Sequence, residues 1–154
     1  VLRPDSAAAV PDRSSILLHG IGVGAQRAGQ PVAKVLQAFA GFAAASPLLA
    51  FHAACDRAMI GRARRAAALA PRPHRWLGIA ARAAVLHPQV QAKSLDEWMA
   101  HFGIRGVARH QSAADTLATT ELLLRLWPVL SVQRVAPTFA ALSSLAAQQR
   151  WVQG

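Results

Sequence analysis

Acidic residues are scarce in this chain: 7 Asp and Glu stand against 17 Lys and Arg over 154 residues, a formal charge of +10. That balance disfavours a basic partner and suits a polyanion, such as nucleic acid or an anionic membrane surface. Cysteine is rarer still. Cys55 stands alone, which excludes an intramolecular disulfide and any multi-cysteine zinc site and makes a reducing compartment, the cytoplasm, the expected location. Among apolar neighbours, this lone thiol is expected in the core rather than as a nucleophile. Tyr is absent and Phe occurs five times, so extensive base stacking is not indicated. The six histidines include no pair at i, i+4 and no His-Glu-x-x-His, which argues against a helical zinc site. There is also no Gly-x-Ser-x-Gly elbow to present a serine nucleophile.

Hydrophobic residues make up 53% of the chain, enough for one domain with its own core. Residues 35 to 55 carry no charge over 21 positions, about the length a membrane span requires. Gly41, the Ser46-Pro47 break and His52 divide the run, which reads as a buried helix followed by a buried strand, with no membrane involved. The opening "VLRPDSAAAVPD" is interrupted by charge and proline, unlike a secretory signal. "VLRP" reads as the end of a strand, and the start of a longer protein is expected upstream.

From Pro31 the apolar residues Val32, Val35, Leu36 and Phe39 recur at helical spacing. "PLLAFHA" fits a central strand, "ACDRAMIGRARRAAAL" a helix that places Asp56 at its first turn, and "HRWLGIA" a second strand. "SLDEWMAHFG" carries a complete helix punctuation: Ser94 as N-cap, Glu97 three residues on, and Gly103 past the end. A helix from Ser112 is expected to stop near Leu126, before Pro128. "APTFAALSSLAAQQRW" forms a C-terminal helix packed through Phe139 and Leu142. The glycines of "HGIGVGAQRAG" lack the strand before and the Lys-Ser/Thr after that a phosphate loop needs, and read as plain loop.

Between Asp56 and Asp96 no acid occurs, and Arg57, Arg62, Arg64, Arg65, Arg72, Arg75, Arg82 and Lys93 do. Composition leaves two readings of this segment, a phosphate-facing surface or the solvated face of an Ala- and Arg-rich chain. Asp56 and Asp115 each begin a helix, where a carboxylate is favoured by the exposed N–H groups and the positive end of the dipole. Ser112-x-x-Asp115 has the form of a capping box, and His110 that of a loop histidine. Physical chemistry alone leaves both a catalytic and a structural role open.

The order "HGIG", "LLAFHAACDRAM", "SLDEWMAHFGI" and "RHQSAADTLATTELLLRL" resembles the DEDDh-type 3'-5' exonucleases, the family of the proofreading epsilon subunit of DNA polymerase III. The likeness spans residues 1 to 127 and implies a helix-rich α/β domain with a ribonuclease H-like exonuclease fold lacking its first strands. The domain would cover 1–128, followed by a helical extension over 129–154. The resemblance makes Asp56 and Asp115 metal ligands for Mg²⁺ or Mn²⁺. It makes His110 the general base, and His52, Arg57, Arg62 and Arg109 nucleic-acid contacts. It implies hydrolysis of phosphodiesters, in DNA rather than RNA, from the 3' end by a two-metal mechanism, with a DNA polymerase as protein partner. The family's first motif, Asp-x-Glu-Thr, is absent, and with it two of the four metal carboxylates. Ala53 and Cys55 replace the usual Asn and Phe, and Gly78 stands where an Asp is common. Impaired hydrolysis is therefore expected, and the alternative is a noncatalytic remnant that binds nucleic acid or a polymerase.

Overall fold

The computed structural model describes residues 2–3, 13–105 and 111–152. These fall into two compact units, one formed by 1–46 with 57–74 and the other by 47–56 with 75–154.

The first unit opens with β1 (Leu2–Arg3), α1 (Arg13–His19) and α2 (Val23–Arg27). β2 (Gln30–Pro31) then pairs in parallel with β1, and α3 (Val32–Ala43) follows it directly. Pro31 is the N-cap of α3, with φ of −54°, where its fixed dihedral and missing N–H suit a helix start. Leu36, Ala40 and Ala43 are buried at a spacing of i, i+4, i+7, one stripe of the helix. Ala44, at φ 46°, terminates it. The basic part of α4 (Ala53–Ala66) belongs to this unit as well.

In the second unit β3 (Leu48–Ala50) pairs in parallel with β4 (Trp76–Gly78), Leu48 lying opposite Trp76 and Ala50 opposite Gly78. A parallel pair needs a long crossover, and α4 provides it. The expected central strand is thus one of two in a short sheet, since the described residues form only two-stranded sheets. The second strand ends at Gly78 rather than running through "GIA". Ile79 already begins α5 (Ile79–Leu86), a helix that the sequence reading did not anticipate. Its Ile79, Ala83 and Leu86 are buried at helical spacing, and the Ala80 N–H donates to the Phe51 carbonyl at 3.2 Å.

α6 (Leu95–Phe102) has the punctuation read from its sequence. The Ser94 hydroxyl accepts from the Glu97 N–H, the Glu97 carboxylate accepts from the Ser94 N–H, and Gly103 closes the helix at φ 63°. α7 (Ser112–Val132) is longer than expected: it runs through Pro128, and the boundary anticipated at 128 falls inside it. Pro128 lacks the N–H that would bond back to Leu124, and it does so on the exposed side of the helix, where Leu124 also lies. Meanwhile Ala118, Leu122, Leu126 and Leu130 are buried on the other face and carry the helix past the break. α8 (Phe139–Val152) contributes Leu142 and Leu145 to the same core as Leu77, Ile79, Ala83, Trp98 and Met99. The result is a helix-rich α/β chain in which no helix of the described residues is long and apolar enough to cross a membrane.

Candidate functional site

The turn between β3 and α4 brings His52 and Asp56 together. Residues 51 and 52 leave the carboxyl end of β3, and α4 starts at Ala53, so His52 and Asp56 flank one helix start. In parallel α/β sheets, ligand-binding crevices lie beyond this end of the strands. The turn is tied down by the Cys55 N–H donating to the His52 carbonyl at 2.9 Å and by the Phe51 and His52 rings in edge contact at 4.5 Å. His52 and Asp56 are both exposed, so each is open to a ligand. Across the turn, a Cβ placed on Gly78 would lie 3.7 Å from the Ala53 nitrogen and from the Phe51 carbonyl oxygen. Position 78 therefore faces the start of α4.

Asp115 lies in the first turn of α7 and is half-buried. Its N–H donates to the Gln111 carbonyl at 2.9 Å. Gln111, not Ser112, is the N-cap, and no side chain caps it. Ser112 is already helical, so it cannot accept as the cap of a Ser-x-x-Asp box. Three hydroxyls along the helix instead bond back one turn to carbonyls that the ladder already uses, Thr116 to Ser112 at 2.7 Å, Thr119 to Asp115 at 2.8 Å and Thr120 to Thr116 at 2.9 Å, which leaves the N-terminal N–H groups uncapped by them. An open groove of about 490 Å³ runs beside this turn, lined by Ser112, Ala113, Thr116, Leu117 and Thr120, and Asp115 is not among its walls.

His110 and Arg109, the expected general base and one expected nucleic-acid contact, lie outside the described residues. Among the described residues no three His, Cys, Asp or Glu side chains gather into a metal-binding group. Asp56 and Asp115 are hard oxygen donors of the kind that Mg²⁺ and Mn²⁺ select.

The basic segment divides. Arg57, Arg62, Arg65 and Arg72 are exposed, although the Arg62 guanidinium donates to the Met59 sulfur at 2.6 Å, while three other arginines are engaged with backbone carbonyls or an aromatic ring. Arg64 donates to the Ala70 carbonyl, closing the end of α4. Arg75 stacks over the Phe139 ring at 4.7 Å. Arg82 donates to the Gly78 carbonyl at 3.0 Å and the Leu142 carbonyl at 2.9 Å, joining α5 to α8, and desolvation lowers its pKa. Arg82 is thereby a structural cation rather than one open to a partner; nothing in its sequence neighbourhood distinguishes it from Arg62.

Cys55 is exposed on α4, not in the core as expected, because the buried side of the first turn is taken by Ala53. A cluster that the sequence did not single out lies elsewhere in the second unit, where His87, Trp98, His101 and Phe102 meet ring to ring. Compared with protein-family models, curated proteins and solved structures, the chain matches none.

Proposed function

We propose that the chain is a 3'-5' exonuclease-family domain of the DEDDh type, with a ribonuclease H-like fold, that holds the 3' end of a nucleic acid and hydrolyses it slowly. The observation that carries this reading is the β3–α4–β4 parallel crossover, with Asp56 in the first helical turn beyond the carboxyl end of β3. Asp115, at the start of a second helix, supports it. In this reading Asp56 and Asp115 hold Mg²⁺ or Mn²⁺, which would supply charge stabilisation to the phosphodiester. His110 takes a proton from the attacking water, a task suited to an imidazole titrating near neutrality. His52, Arg57, Arg62 and Arg109 neutralise backbone phosphates. With two carboxylates, metal affinity is low and hydrolysis is slow. A DNA polymerase is the protein partner that this family reading implies.

Metal binding is tested by titrating Mn²⁺ into the chain and following the free-ion paramagnetic resonance signal. The expected result is weak retention of Mn²⁺ that falls several-fold in Asp56→Asn and in Asp115→Asn. Equal retention by all three chains would remove both residues from the site.

A second reading, noncatalytic binding of nucleic acid, draws on the exposed Arg57, Arg62, Arg65 and Arg72 in a stretch without acids. It differs from the first in leaving oligonucleotide binding intact while no hydrolysis occurs.

A further inference from the structure

His87 ends α5 as its C-cap, and His101 stands in the last turn of α6. Their ring centroids are 6.1 Å apart. Phe102 meets His87 at 5.1 Å and His101 at 4.7 Å, and Trp98 lies 6.3 and 6.1 Å from the same two rings. Trp98 and Phe102 are near-parallel to each other, at 17° with centroids 6.0 Å apart. The His87 backbone is pinned at both ends, its N–H donating to Ala83 and its carbonyl accepting from Val90, each at 2.9 Å. The ring lies against those of Trp98, His101 and Phe102. Its Nε2 is fully buried and has no hydrogen-bond partner among the described residues.

A neutral imidazole tolerates this position at the cost of one unpaired polar atom. A protonated one does not, because both ring nitrogens then carry hydrogens and Nε2–H⁺ has no acceptor. Two causes act on the group in one direction: burial disfavours the cation first, and the charge of His101 adds to it. Other charged groups on the neighbouring elements do not offset them. Glu97 is turned toward the Lys93 and Ser94 N–H groups at the far end of α6, and Arg82 toward Gly78 and Leu142. Asp96 of α6 and Asp115, Glu121 and Arg125 of α7 are the other charged groups on the elements packed here, and the shift at His87 is caused by burial and by His101.

We propose that His87 and His101 form an acid-sensitive latch: uptake of one proton from solvent by His87 places a cation with no acceptor for its buried Nε2–H beside His101 and loosens α6 from the end of α5. The folded-state pKa of His87 lies below its ordinary value of 6.5, so between the two values the unfolded chain binds more protons than the folded one. The latch is fully closed above pH 6.5. Its contribution is lost as the pH falls from 6.5 through the lowered folded value.

The test follows the histidine ring resonances of the full chain by NMR from pH 8 to pH 5. His87 is expected to titrate with a midpoint below 6.5, and the amides of residues 95–102 to shift with the same midpoint. In His101→Asn the His87 midpoint moves up toward 6.5, and in His87→Phe less stability is lost between pH 7 and pH 5 than in the unaltered chain. A His87 midpoint at or above 6.5, or one that His101→Asn leaves in place, overturns the proposal. The titration on the unaltered chain decides even if a variant fails to fold.

Discussion

Replacing Arg82 by Met tests whether this arginine is structural. The substitution keeps an unbranched stem that can lie along α5 and removes the guanidinium. Two hydrogen bonds go with it, at 2.9 Å to the Leu142 carbonyl of α8 and at 3.0 Å to the Gly78 carbonyl at the end of β4. A third contact, to Ser143 at 3.4 Å, is too long to add much. A hydrogen bond from a charged donor is worth roughly 1.5–3 kcal/mol net. Arg82 is only half-buried, so water partly replaces what is lost, and the two bonds together are expected to contribute about 2 kcal/mol. For a chain of this length that is a fall in Tm of roughly 4–8 °C. Urea unfolding of Arg82→Met should therefore show a lower midpoint at unchanged slope. Arg57→Met, at an exposed position of α4, should stay within about 0.5 kcal/mol of the unaltered chain. Equal stability of the two variants would refute the division of the arginines into structural and available ones.

Two further substitutions probe the helices. Pro128→Ala restores the missing N–H in the interior of α7 at an exposed position and should raise stability by roughly 1–3 kcal/mol; a loss in urea unfolding would mean that the proline shapes the helix. Ser94→Ala removes the N-cap acceptor of α6 and should cost about 1 kcal/mol, an expectation that fails if the midpoint does not move. The Glu97 carboxylate is held below its ordinary value of 4.5, first by the Lys93 N–H and then by the Ser94 N–H. Its part of the cap is thus complete above pH 4.5 and fades as the pH falls through the lowered folded value; Glu97→Gln should flatten that decline.

The elements legible in the sequence are those whose signals are local. α6 could be bounded to the residue because Ser94, Glu97 and Gly103 each act within one turn of the helix end. β3 and β4 were visible as short apolar runs, and Asp56 and Asp115 as acids at helix starts, for the same reason. α5 was missed because "IAARAAVL" follows β4 without a loop: Gly78 is both the last residue of β4 and the N-cap of α5, so no turn signal separates the two elements. α7 outran its proline because the burial of Leu126 and Leu130 is a tertiary gain that a local breaker does not report. The use of Arg75 and Arg82 within the chain was hidden for a related reason: Leu142 and Phe139 are 60 and 64 residues from Arg82 and Arg75. Position along a chain does not show which cation meets solvent. Of the site itself, the sequence marked the two carboxylates and His110; how a third donor would join Asp56 and Asp115 depends on geometry beyond motif spacing.

The central claim is hydrolysis from a 3' end, and its most direct measurement uses a 5'-labelled single-stranded oligonucleotide incubated with the chain and Mn²⁺. The account expects a slow ladder that shortens one nucleotide at a time from the 3' end, lost on chelation and lost in His110→Ala and Asp115→Asn. An oligonucleotide that is bound but stays intact, or a ladder that both variants produce at the same rate, would contradict it.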